Sequence, residues 1–216
     1  MTTSALDRSD LDGTERDGPG RGGVGASRAF ALMLVITGAM GLLASWVITL
    51  DKIELLKDPN FKPGCSLNPI VSCGNIMSSK QAEAFGFPNP MLGLVCYGAI
   101  IAIGLALLSG ARFPRWYWLG MEAGCLFGVG FVTWLQYQSL YVIGSLCLWC
   151  CLAWVATIVM FWYVTVQNVR HGFIPAPDGL KRALLEFHWV LPVLHVGIIG
   201  MLILTKWWWF WTGGTA

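Results

Sequence analysis

Four of the seven cysteines fall into two pairs whose spacing suits thiol–disulfide chemistry. Cys65 and Cys73 form a C-x7-C pair in a polar segment. Cys147 and Cys150 form a C-x-x-C pair in the first turns of an apolar one. A cysteine near a helix N-terminus meets free N–H groups and the positive end of the helix dipole, which stabilise a thiolate. The thiolate is the species that attacks a disulfide. A partner three residues on lies one turn away on the same helix face, near enough to close a reversible disulfide. A second pair on a loop can exchange with it through a mixed disulfide. Each pair alone also has a plainer reading. The loop pair could be a static cross-link, and the C-x-x-C half of a metal site, although no histidine or further cysteine completes one. Together they can carry two electrons from a soluble thiol down to a membrane. Cys96, Cys125 and Cys151 read as small apolar packing residues.

The elements that must position these pairs are apolar helices. Mean hydropathy is +0.62. Only 12% of the 216 residues are charged, about half the share of a soluble domain. Charges avoid long stretches of the chain, which points to membrane spans and away from a soluble core. The first span runs over residues 29–50, 22 residues without a charge and about 33 Å long at 1.5 Å per residue. It is too long for a signal-peptide core. A polar segment, 51–89, follows and carries the loop pair, with a short helix expected over 76–84. Further spans are expected over 90–109, 116–136 and 145–166, with an aromatic turn at 137–144. A fifth runs from about His188 to Trp211 and ends in a belt of Trp207, Trp208, Trp209 and Trp211. Residues 1–28 are rich in Gly, Asp, Arg and Ser and are expected to form a disordered tail. The fold class is therefore an all-α integral membrane protein with five transmembrane helices. Net charge of +2 without a basic run, and no glycine-rich phosphate loop or zinc-type spacing, exclude the common nucleic-acid, nucleotide and zinc signatures.

Span parity puts both cysteine pairs on one side of the membrane. The chain leaves after span one and re-enters at span four from the same face. The tail, the short 110–115 loop and the 167–187 segment hold nine Lys and Arg residues against four or five elsewhere, which favours a cytoplasmic N-terminus. The cysteines then face the oxidising exterior, where disulfides persist. Glu122, six residues into the third span, is expected to reach water or a basic neighbour near the cytoplasmic face. The three histidines are scattered and read as interfacial or packing residues.

The run Cys65-Ser-Leu-Asn-Pro-Ile-Val-Ser-Cys73-Gly-Asn-Ile-Met-Ser-Ser79, the run Phe85-Gly-Phe-Pro-Asn89-Pro-Met-Leu-Gly93-Leu-Val-Cys-Tyr97 and the Cys147-Leu-Trp-Cys150 motif follow one another in order. This ordered set resembles the vitamin K epoxide reductase family, over about residues 29–166. The resemblance implies a four-helix bundle around a quinone, capped by the extracytoplasmic loop and its short helix. It divides the chain into a cytoplasmic tail (1–28), a catalytic four-helix domain (29–187, with loop 51–89) and a fifth helix with the C-terminus (188–216). It implies that Cys150 faces the quinone, that Cys147 exchanges with Cys73, and that Cys65 completes the loop pair. Ser79 would support the cysteines and Asn89 would hydrogen-bond a quinone carbonyl. Asn89 before Pro90 also reads as a helix N-cap, and Ser79 as a local bond within the short helix. Vertebrate members carry a Tyr one turn below the second C-x-x-C cysteine, where this chain has Trp154, whose indole donates a hydrogen bond but supplies no acidic proton.

The reading that follows is a quinone-dependent thiol oxidase of the bacterial plasma membrane, with menaquinone or ubiquinone as acceptor and no metal. Many bacterial members continue into a thioredoxin-like domain. With this chain ending at Ala216, the thiol donor is expected to be a separate extracytoplasmic thioredoxin-fold protein of DsbA type. The rivals are reduction of vitamin K epoxide by the same cysteines, a four-helix oxidase of DsbB type (whose pairs come in the reverse order), and a membrane scaffold with structural disulfides.

Overall fold

A computed structural model describes residues 23–58, 60–68 and 70–213. Most of the expected tail lies outside these residues, as do the last three positions. The described part of the tail, Gly23–Ser27, is held in place. Val24 and Phe113 exchange backbone hydrogen bonds of 2.8 and 3.0 Å, and the Ser27 hydroxyl caps α1 by accepting from the Phe30 N–H.

Helix α1 spans Arg28–Lys57, α2 Cys73–Met77, α3 Asn89–Leu108, α4 Arg115–Tyr137 and α5 Leu148–Arg170. They are followed by α6, Asp178–Glu186, α7, Val190–Lys206, and α8, Trp208–Trp211. Four of them, α1, α3, α4 and α5, are long and apolar enough to cross a membrane. The expected fifth span falls on α7 and α8, and α6 with α7 forms the one bent pair among the described residues that could count as a fifth crossing. Helix α7 has 17 residues, about 25 Å at 1.5 Å per residue. It leaves the short amphipathic α6 at an angle of 71°. Trp207 interrupts the helix before α8, and this residue of the aromatic belt is buried against Ile70, Leu146 and Trp154, whereas Trp208, Trp209 and Trp211 are exposed.

Boundaries move for local reasons. Helix α1 runs two turns past its apolar stretch, because Asp51, Lys52, Glu54 and Lys57 are tolerated on turns that leave the bundle, and Glu54 pairs with Lys57. Lys52 reaches into the loop, donating to the Met77 carbonyl and pairing with Glu83 at 2.9 Å. The expected helix over 76–84 is two pieces, α2 and a 3-10 turn over Lys80–Glu83. The aromatic turn at 137–144 continues α4 as a π-type turn, Gln138–Ile143, and ends at Gly144 in a left-handed conformation, φ +70°. Chain direction there reverses sharply, which a residue without Cβ tolerates.

Helix α1 packs against α3 and α5, and α4 packs against α5. The α1–α3 contact is close because small residues meet there. A Cβ on Gly38 would lie 2.8 Å from Ile101, and one on Gly104 2.7 Å from Val35. Small residues at such spacing let helix backbones approach in a membrane, where packing replaces the hydrophobic drive. At the end away from the two cysteine pairs, Phe30, Leu34, Trp118, Met160 and Val164 belong to a core cluster that also takes in Cys125. Glu122 does not reach a basic neighbour: α5 gives it two neutral donors, the Thr165 hydroxyl at 2.7 Å and the Asn168 amide at 2.9 Å.

Candidate redox site

The loop is tied to the start of α5 by its backbone. Asn68 Oδ1 accepts from the Ile70 and Val71 N–H groups and turns the chain. Val71 then forms a parallel bridge with Leu146, through Leu146 N–H to the Ile70 carbonyl at 2.7 Å and Ser72 N–H to the Leu146 carbonyl at 2.9 Å. Asn75 Nδ2 adds a bond to the Ser145 hydroxyl at 3.0 Å. This lays Cys73, the first residue of α2, over Cys147, the residue before α5. Sequence spacing alone does not show that bridge.

Cys65 and Cys73 are joined in a disulfide, with Cα atoms 5.7 Å apart. The sulfurs of Cys65, Cys73 and Cys147 all lie within 4.8 Å of one another. Three thiolates at that spacing would suit a metal, but two of these are bonded to each other, so the group is a disulfide with a third sulfur beside it. Cys73 and Cys147 are fully buried. Cys147 is the N-cap of α5 and not part of its first turn, and its Sγ accepts from the Cys150 N–H at 3.3 Å. Its thiol is held below the ordinary value of 9.0, first by a hydrogen bond from the Cys150 thiol; burial opposes this, and backbone N–H groups of Cys150 and Trp149 reinforce it. An N-cap sulfur is thus placed where helix N–H groups stabilise its anion.

Cys150 also lines a cavity of about 360 Å³ between α1, α3, α4 and α5, roofed by the α2 loop. The lining is mostly apolar. Ser79, Asn89 and Trp154, the three residues singled out beside the cysteines as candidates for the acceptor site, all line it, together with Tyr97 and Thr157. Asn89 is not a cap: it is the first residue of α3, after Pro88. Its amide staples the roof, with Oδ1 accepting from the Ala84 N–H at 3.0 Å and Nδ2 donating to the Gln81 carbonyl at 2.7 Å. One amide hydrogen is left for a ligand. The Ser79 hydroxyl donates to the Ile76 carbonyl at 2.7 Å, a local bond within the loop. Trp154 is buried one turn below Cys150.

Tyr97 had no role in the sequence reading, although it closes the quoted α3 run. Its hydroxyl lies 2.6 Å from Thr157 Oγ1 and 3.2 Å from the Ala153 carbonyl, beside Trp154. A phenol thus stands near the position where vertebrate relatives carry one, contributed by a different helix. Cys96 and Cys125, expected as packing residues, also line the cavity, while Cys151 packs beside Trp154. An aromatic next to a helix cysteine reads as ordinary packing, so only the three-dimensional convergence marks Tyr97.

The volume, the apolar walls and the few convergent polar groups fit a flat quinone ring, as small-molecule sites generally combine these features. The chain is 27% identical over 121 residues to thiol-disulfide oxidoreductase LTO1 of Arabidopsis thaliana, a match covering 52% of this chain. It spans about a third of that relative's length, 31%. The vitamin K epoxide reductase family model matches residues 32–165, from α1 nearly to the end of α5, and takes in every cysteine of the cluster. With four apolar spans, a loop disulfide against a capping thiol and a cavity behind it, this chain belongs to the vitamin K epoxide reductase family.

Proposed function

We propose that this protein is a quinone-dependent thiol oxidase that reoxidises an extracytoplasmic thioredoxin-fold protein of DsbA type. The observation that carries the reading is the file of sulfurs: the Cys65–Cys73 disulfide, Cys147 within 4.8 Å of both, and Cys150 at the cavity wall. The partner's dithiol reduces the loop disulfide and leaves as a disulfide itself. Cys73 thiolate then attacks the Cys147–Cys150 disulfide at Cys147, which forms a Cys73–Cys147 bond and releases Cys150 as thiolate. Cys65 thiolate attacks Cys73, closes the loop disulfide again and frees Cys147. Two electrons have then moved inward, and the loop is closed beside two free inner cysteines, as found here.

The cavity residues hold the acceptor. Tyr97, by turning its hydroxyl proton from Thr157 Oγ1 to the acceptor, and the free Asn89 amide hydrogen would donate to its carbonyl oxygens, and Trp154 with the apolar walls would exclude water. A quinone held there, menaquinone or ubiquinone, would take up two electrons and two protons as Cys147 and Cys150 close again to a disulfide. Cys150 is the electron donor at the wall, and the Cys150 N–H helps hold Cys147 as thiolate in readiness for exchange. The bundle crosses the bacterial plasma membrane with its N-terminus in the cytoplasm, so the loop and the start of α5 face outward. Reduction of a soluble quinone analogue by a small dithiol tests the site. The wild type supports turnover and Cys150→Ala loses it; full activity in Cys150→Ala would end the proposal.

A further inference from the structure

The rim opposite the redox cysteines holds a second cavity, of about 530 Å³. Arg112 from the α3–α4 connection, Gln167, Arg170 and His171 from the end of α5, and the backbone of Gly23–Ser27 form its walls. Among the described residues those walls include no carboxylate. Neither ion pair among the described residues involves Arg112 or Arg170. Glu122, the acidic group of α4, is engaged by Thr165 and Asn168. Arg115 is engaged too, donating to the Phe173 carbonyl at 3.1 Å.

The walls are fixed. The Val24–Phe113 bridge pins one side, and a Cβ on Gly23 would lie 2.9 Å from the Arg112 backbone, so glycine allows this approach. Gln167 is 4% exposed, and its Nε2 lies 3.0 Å from His171 Nε2 and 3.5 Å from the Gly25 carbonyl. With the amide donating to Nε2, the ring proton sits on Nδ1 and is a further donor. His171 titrates below 6.5, through burial and then through Arg170 and Lys181, a sign of local positive potential. The rim also carries an exposed aromatic flank: Trp116 is 72% exposed, and Phe113 stacks on Tyr117 at 4.3 Å. Aromatic side chains gather at headgroup depth.

We propose that this pocket binds a phosphate group, as the headgroup of an anionic membrane lipid or as free phosphate, between the guanidinium groups of Arg112 and Arg170. Guanidinium forks match phosphate oxygens in charge and geometry, and basic pockets between spans hold acidic headgroups. Delipidated full-length protein is titrated with phosphatidylglycerol, phosphatidylcholine or inorganic phosphate. Thermal unfolding and native mass spectrometry are the readouts. Phosphatidylglycerol is expected to bind and raise the melting temperature, and phosphatidylcholine to do neither. If inorganic phosphate also binds competitively, the phosphate group itself is the ligand; if only the lipid binds, the headgroup with its tails is. Arg112→Gln and Arg170→Gln each weaken binding roughly fivefold, and the double variant about thirtyfold, from about 1 kcal/mol per basic side chain. Arg182→Gln, on the same rim but outside the pocket, retains it. Absence of binding by both phosphate-bearing probes, or a loss in Arg182→Gln equal to that in Arg112→Gln, would overturn the proposal.

Discussion

Gly41→Ala is expected to disturb the cavity from outside it. Gly41 lies on α1 where the Tyr97 ring rests on the helix backbone. A Cβ there would fall far inside van der Waals contact with Cε1, Cζ and Cδ1 of that ring. Carbon atoms pack at about 3.5–4.0 Å, so the ring must retreat by about 1 Å or more. The Tyr97 hydroxyl sits 2.6 Å from Thr157 Oγ1, and a retreat of that size carries it beyond hydrogen-bond range. Overpacking costs about 1–3 kcal/mol and the lost bond about 1 kcal/mol. The variant should therefore be about 2–4 kcal/mol less stable. If the phenol also bonds the quinone, KM for quinone should rise about fivefold, the factor that corresponds to about 1 kcal/mol. Tyr97→Phe separates the two effects. It removes the hydroxyl without the clash, so it should raise KM equally while costing about 1 kcal/mol of stability. Thr157 keeps its bond to the Ala153 carbonyl at 2.8 Å. Since both changes act through one hydroxyl, the double variant should have the KM of either single variant. Wild-type KM and melting temperature in Gly41→Ala, or additive KM effects in the double variant, would refute this account of Tyr97.

Asn89→Ala leaves the Ala84 N–H and the Gln81 carbonyl unpaired at the roof, at about 1–3 kcal/mol. Faster alkylation of Cys150 by a soluble maleimide, with the Cys65–Cys73 disulfide intact, is the expected result. With Cys147 held below 9.0, its exchange rate with a disulfide reagent should rise with pH and level off before a free thiol does; removal of the Cys150 thiol by Cys150→Ala should move that midpoint upward. Oxidised Cys65→Ala/Cys150→Ala should form a Cys73–Cys147 disulfide, seen by peptide mapping. An equal yield of Cys65–Cys147 in Cys73→Ala/Cys150→Ala would leave Cys65, as much as Cys73, the exchange partner of Cys147.

Much of this was legible in the sequence because hydropathy and cysteine spacing act locally. Apolar stretches of about twenty residues, uncharged but for Glu122, give α1, α3, α4 and α5 directly, and parity puts both cysteine pairs on one face. Local signals failed where a tertiary contact decides. Asn89 before Pro90 carries the chemistry of a cap, yet its amide is spent on Gln81 and Ala84, partners that only the folded loop supplies. Cys147 steps out of α5 because residues 145–147 are drawn into the bridge with the loop. Trp207 reads as part of an interfacial belt until the loop and α5 bury it. Tyr97 and the basic pocket were missed for one reason. Each site combines residues from separate helices, and no single stretch of chain carries its pattern.

The most direct measurement is partner-driven quinone reduction by the purified protein, supplied with a reduced thioredoxin-fold protein, for the wild type and for single alanine variants of Cys65, Cys73, Cys147 and Cys150. The relay predicts that all four variants lose this activity. It also predicts that the Cys65 and Cys73 variants keep turnover with a small dithiol that reaches Cys147 directly. A wild type that keeps its disulfides closed and reduces no quinone would contradict it, as would a Cys147 or Cys150 variant that turns over normally.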